Sequence, residues 1–100
     1  MPTRIARHGQ ALRWGEPRQR LDLGSARTRQ DDGPIDGGCD CATCGRFSRA
    51  YLSHLFRARE LLAGSLVAEH NLRFVTRLLE EVREAISAGR LAELRRQRLG

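Results

Sequence analysis

One hundred residues with a formal charge of +6 and a sequence pI near 10.8 allow one small domain or a piece of a larger one, because so short a chain buries only about two thirds of its surface on folding. All 18 cations are arginine; the planar guanidinium fork matches oxyanions, so nucleic acid is the partner that charge favours, although a coding bias toward arginine explains the missing lysine equally well. No apolar run is long enough to span a membrane, and Arg4, Arg7, Arg13, Arg18 and Arg20 exclude a secretory signal, which leaves a reducing compartment, the cytoplasm, for an odd number of cysteines.

In chain order, residues 1–38 are rich in Arg, Gly and Asp and poor in large apolar side chains. Two runs there, Ala11–Trp14 and Gln19–Leu23, flank Gly15-Glu16-Pro17, and the pattern predicts a β-hairpin turning at Gly15 to Pro17. A disordered basic arm is the alternative. Gln30 to Gly38 is turn chemistry throughout. Cys39, Cys41 and Cys44 then fall within six positions. From Phe47 the period becomes helical, with Phe47, Tyr51, His54, Leu55, Ala58, Leu61 and Leu62 on one stripe. That helix is expected to end near Arg59, and Gly64 interrupts the pattern. A second helix carries Leu72, Val75, Leu79, Val82 and Ile86 inward and Arg73, Arg77, Glu80 and Glu84 outward. Gly89 is placed as its C-cap, and Arg90 to Arg98 adds a short basic helix. The expected class is α+β: a short β-hairpin, a cysteine loop and two amphipathic helices, divided as 1–38, 39–71 and 72–100.

The cysteine spacing is chemical as well as local. Cys41 and Cys44 have the knuckle spacing of many zinc sites, and a structural zinc normally closes with a fourth sulfur or nitrogen ligand. The fourth must be a histidine. His54 lies seven residues into the first helix, about 10 Å along its axis, and so points away from the loop. His8 sits far upstream with no ligand-like spacing. His70 precedes Asn71, a residue type suited to an N-cap, and the ten or so residues before it span about 33 Å when extended, enough to bring it back to the cysteines. The predicted set is Cys39, Cys41, Cys44 and His70 around Zn2+. Four protein ligands leave no open position for water, so the site is structural. A redox Cys-x-x-Cys would open a helix within a strand-helix-strand unit, and no such strands flank this one.

The same residues carry a family likeness. Cys39-Asp40-Cys41-Ala42-Thr43-Cys44, then Phe47-Ser48-Arg49-Ala50-Tyr51-Leu52, His54-Leu55, Glu60 and His70-Asn71-Leu72 resemble the C-terminal zinc region of bacterial tRNA-guanine transglycosylases, the queuine tRNA-ribosyltransferases. Pro2-Thr3-Arg4, Ala6-Arg7 and Gly9 resemble a second motif of that family, and Pro34 and Asp36 ahead of Cys39 a third. The chain departs from the family pattern at His8, Ser53 and Arg59.

The resemblance implies the C-terminal part of a TIM (β/α)8 barrel enzyme that exchanges guanine at the tRNA wobble position for a 7-deazaguanine base, in queuosine biosynthesis. It implies tRNA contact by Arg4 and Arg7, in a loop ended by Gly9, and a homodimer interface at Phe47, Tyr51 and His54. Without the family, that aromatic stripe would be core facing the second helix. The family's aspartate nucleophile lies just upstream of the Pro-Thr-Arg motif, so both catalytic aspartates are expected to be missing. Asp22, Asp31, Asp32, Asp36 and Asp40 belong to no matched catalytic motif, and an isolated carboxylate without a pocket supplies little positioning. This chain alone should be inactive. Its partner is the missing barrel or a homologous subunit, against which much of the helical apolar surface would pack. The alternative is a non-catalytic, zinc-stapled tRNA-binding or partner subunit.

Overall fold

The computed structural model describes residues 2–99. In chain order it contains α1 (Pro2–Arg7), β1 (Gln10–Leu12), β2 (Arg20–Asp22), α2 (Ala42–Arg46), α3 (Arg49–Arg57), α4 (Leu61–Ser87) and α5 (Leu91–Leu99), with single 3-10 turns at Pro17–Gln19 and Ala26–Thr28.

The hairpin forms where alternation predicts it. β1 and β2 pair antiparallel with Ala11 opposite Leu21, and Leu23 N–H donates to the Gly9 carbonyl at 2.8 Å to extend the pairing. Ala11, Leu21 and Leu23 are all buried, as a two-residue period requires when one face meets the core. They join Ala6, Ile35, Leu52 and Val67 in one apolar cluster between the hairpin and the helices. Asp22, Asp31 and Asp36 each accept the backbone N–H two residues on, at 2.9 Å, from Gly24, Gly33 and Gly38. These Asx turns fold the glycine-rich segments without regular structure. Arg49 ties the middle one to α3, donating to the carbonyls of Pro34 and Ile35 and pairing with Asp31.

Three expectations are corrected. The Pro-Thr-Arg segment is a six-residue helix, not a loop. Proline suits a first helical position because its φ is preset and its missing N–H would have no partner there; Gly9, at φ 77°, ends the turn. Ile5 and Ala6 are buried, while Arg4 and Arg7 stay exposed.

Secondly, Gly64 does not break a helix. α4 runs unbroken for 27 residues, so Asn71 lies mid-helix and cannot be a cap. Glycine costs a helix only about 1 kcal/mol relative to alanine, less than the burial of Ala63, Val67, His70 and Asn71 around it returns. A Cβ at Gly64 would lie 3.9 Å from Arg7 Cα, an ordinary contact. Gly64→Ala is therefore expected to stabilise the fold by about 0.5–1 kcal/mol, seen as a rise of several degrees in thermal midpoint. An unchanged or lower midpoint would mean that α1 cannot yield the space.

Thirdly, the stripes expected inward do not meet this chain's own core; they lie open, as surface left to pack against a missing barrel would. On α3, Leu52 and Leu55 are buried while Tyr51 is 42% exposed and His54 is exposed. On α4, Leu72, Leu79 and Ile86 are 51%, 55% and 60% exposed. Their seven-residue steps make a real apolar seam, but it lies on a different face from Val67, His70 and Asn71. Beyond Asn71 only Ala85 of α4 is buried. That outer half is braced by α5, which folds back after Gly89 (φ 68°) and places Arg98 on both Glu81 and the Trp14 ring. Trp14 in turn packs on Phe74 at 5.0 Å. No helix of the described residues is long and apolar enough to cross a membrane.

Candidate metal centre

The cysteine loop is fixed before any ion is considered. Cys41 is extended (ψ 157°) and caps α2, its Sγ accepting Cys44 N–H at 3.3 Å. Thr43, fully buried, donates its hydroxyl to the Leu66 carbonyl of α4 at 2.6 Å. From the same helix Arg73 binds Asp40 with two bonds of 2.7 and 3.1 Å, and Arg77 donates to the Gly38 carbonyl at 2.8 Å. Arg73 holds the Asp40 carboxyl below its ordinary range, chiefly through that hydrogen bond. These two arginines were expected on a solvated face. Nothing in a helical repeat marks which of its arginines will meet a distant loop, so this pair is visible only once the chain is folded.

His70 reaches the cysteines from the middle of α4. Its Nδ1 lies 3.6 Å from Cys39 Sγ, 3.5 Å from Cys41 Sγ and 3.3 Å from Cys44 Sγ, and the four donor atoms lie within 4.8 Å of one another. On the opposite side of the ring, Nε2 is 2.8 Å from the Leu12 carbonyl. A carbonyl only accepts, so Nε2 carries the proton and the Nδ1 lone pair is aimed at the sulfurs. This is the outer-sphere bond that orients most metal-binding histidines. Asn71, the next residue, accepts Leu12 N–H at 2.8 Å and donates to the Gln10 carbonyl at 3.1 Å. Consecutive side chains of α4 thus occupy the free edge of β1.

The donor set fits zinc. With Zn–S of about 2.3 Å and Zn–N of about 2.1 Å, tetrahedral geometry separates sulfur from nitrogen by about 3.6 Å, close to all three observed distances. Burial pushes the Cys41 and Cys44 thiols up and the His70 imidazolium down, so without an ion the site favours neutral groups. Cys39, Cys41, Cys44 and His70 would hold a divalent cation as three thiolates and one neutral imidazole, with the thiol protons released to solvent. His8 and His54 are exposed and outside the cluster, as are Tyr51 and both arginines of α1; Phe47 is also outside it, half-buried against the apolar core. Phe47 and Tyr51 stack, with centroids 5.3 Å apart and planes at 15°.

A family model described as queuine tRNA-ribosyltransferase matches residues 1–100. Among curated relatives, a queuine tRNA-ribosyltransferase of Roseiflexus sp. (strain RS-1) is 50% identical over 100 residues, covering 99% of this chain and 25% of its own length. That of Thermus thermophilus is 49% identical over 96 residues, covering 96% of this chain and 24% of its own. That of Zymomonas mobilis is 42% identical over 93 residues, covering 93% and 23%. The chain spans about a quarter of the length of these relatives.

Proposed function

The chain belongs to the queuine tRNA-ribosyltransferase family, and on that premise we propose that it supplies the C-terminal zinc-bearing portion of a tRNA-guanine transglycosylase, which exchanges the wobble guanine of tRNA for a 7-deazaguanine base. The observation that carries this reading is the match of the family over the whole chain. Cys39, Cys41, Cys44 and His70 hold a zinc ion whose role is to staple the loop to α4 and the hairpin. With four protein ligands the ion has no position left for water, so it supplies folding energy rather than chemistry.

The exchange chemistry is assigned to residues outside these 100. Asp22, Asp31 and Asp36 bind their own turns, Asp31 also pairs with Arg49, and Asp40 pairs with Arg73, so these four carboxylates are engaged in holding the fold. The seam of Leu72, Leu79 and Ile86 is the surface that would meet the rest of a (β/α)8 barrel. The stacked Phe47 and Tyr51, with His54 beside them, form the face for a second copy, for which sedimentation of the full protein is the readout.

Arg4 and Arg7 of α1 contact tRNA. Binding of a tRNA transcript to the chain should weaken steeply as salt rises, because each neutralised phosphate releases counterions. The same preparation should give no incorporation of labelled guanine. A flat response to salt would remove tRNA contact from the proposal, and incorporation would overturn the assignment of chemistry elsewhere.

A further inference from the structure

Two helices of this chain end in the same backbone device with different residues at its critical position. At the end of α4, Gly89 donates its N–H to Ile86 and Arg90 donates to Ala85, at 3.2 and 2.7 Å. At the end of α3, Arg59 donates to Phe56 and Glu60 donates to Leu55, at 3.1 and 3.0 Å. Both are Schellman endings, which need a left-handed residue after the cap. Gly89 adopts φ 68° without strain, whereas Arg59 adopts φ 58° with a Cβ that opposes it. The fold needs no side chain at position 59, and glycine would serve the ending better. Arg18 and Gln19 of the hairpin turn are also left-handed (φ 55° and 58°), but Arg59 is so at a Schellman ending of the kind Gly89 serves without strain, and what the arginine adds there is its guanidinium.

The surroundings indicate what that guanidinium does. Arg59 lines a groove of about 750 Å3 with Arg7, Phe56, Glu60 and Leu61, between the end of α1 and the start of α4. Arg7 Cα and Cγ lie 3.9 and 4.0 Å from where a Gly64 Cβ would stand, which places the arginine stem against α4 beside the groove. Arg13, Arg27, Arg49, Arg73 and Arg98 form ion pairs, but among the described residues neither Arg7 nor Arg59 does, and Glu60 pairs with neither. Two exposed, uncompensated guanidiniums share one concave surface in a chain of charge +6. Their planar forks suit phosphate oxygens.

We propose that Arg59 is a phosphate-binding residue which, with Arg7, grips the RNA backbone in the groove between α1, α3 and α4. The proposal rests on the reading of this chain as a tRNA-contacting one. The zinc-loaded chain, with Arg59→Gly, Arg59→Lys and Arg7→Ala variants, is titrated with a tRNA transcript carrying a wobble guanine at several salt concentrations. Arg59→Gly is expected to raise the thermal midpoint by a few degrees while weakening tRNA binding roughly three- to tenfold and reducing the log-log salt slope by about 1. Arg59→Lys keeps the charge and should keep most of the slope. If Arg59→Gly binds as the parent does while Arg7→Ala loses affinity, the role of Arg59 is overturned and the tRNA reading stands. If the parent's own binding is indifferent to salt, both fail together. A fall in midpoint for Arg59→Gly would show that the arginine serves the fold, and would also overturn the proposal.

Discussion

His70→Ala is expected to abolish metal binding and unfold the chain. The zinc content of the purified protein should drop from about one per chain to almost none, with loss of the cooperative thermal transition. The magnitude follows from two scales. Structural zinc in small Cys/His sites contributes about 10–16 kcal/mol of apparent binding free energy, whereas a domain of this size is stable by only about 5–15 kcal/mol in total. The substitution also removes the 2.8 Å bond from Nε2 to the Leu12 carbonyl, so the hairpin loses an anchor together with the ion. Chelation of the unaltered protein should reproduce the unfolding and, unlike the substitution, be reversed by added zinc. His54→Ala is the control, because His54 is exposed and remote from the sulfurs; equal zinc loss in the two variants would refute the ligand assignment.

Asn71→Ala should destabilise the zinc-loaded protein by about 2–4 kcal/mol, the second-largest effect. Asn71 is fully buried, and its amide serves the Leu12 N–H and the Gln10 carbonyl at once. Removing it leaves two backbone groups without partners, each costing about 1–3 kcal/mol where water cannot reach. Asn71→Asp separates the two bonds. It keeps an acceptor for Leu12 but sets an oxygen against the Gln10 carbonyl, and should cost at least as much as alanine. Urea unfolding at saturating zinc measures both. A shift of the Asn71→Ala midpoint worth less than about 0.5 kcal/mol would mean that water or a backbone shift replaces the amide. Zinc stoichiometry should stay near one per chain, which distinguishes this variant from His70→Ala.

Local chemistry was legible where neighbours in sequence decide the structure. The hairpin followed from alternation around Gly15 to Pro17, Gly89 from its place after the helical repeat, and the grouping of three cysteines from their spacing. The chain-reach argument selected His70 from among three histidines, and the folded chain sets it against the sulfurs from inside a helix rather than from a boundary. That difference has a cause: Gly64 looks like a break in sequence, yet packing against α1 carries the helix through it. The Pro-Thr-Arg helix was legible in principle, since proline commonly occupies a first helical position, but its six residues give no periodic signal. Asn71 misled for the opposite reason. Its type favours caps, and only the arrival of β1 alongside α4 turns its amide into a strand partner. The seam of Leu72, Leu79 and Ile86 is legible as apolar, and its exposure agrees with helical surface left for a missing barrel; the direction it faces within this chain is not legible, because periodicity specifies a face without naming what meets it.

The two side chains laid along β1 have a consequence for the protein without its metal. A two-stranded sheet has two open edges, and an open edge is a template for pairing with another chain. Here the Gln10 carbonyl and both backbone groups of Leu12 are engaged by Asn71 and His70, so one edge is plugged by α4. The plug is held in place by the same histidine that faces the cysteines. Loss of a bound ion would therefore do more than free three thiols: it would loosen the cover of a strand edge, and the metal-free chain is expected to assemble through β-pairing. A zinc ion held by these four residues would guard against aggregation as well as fasten the loop.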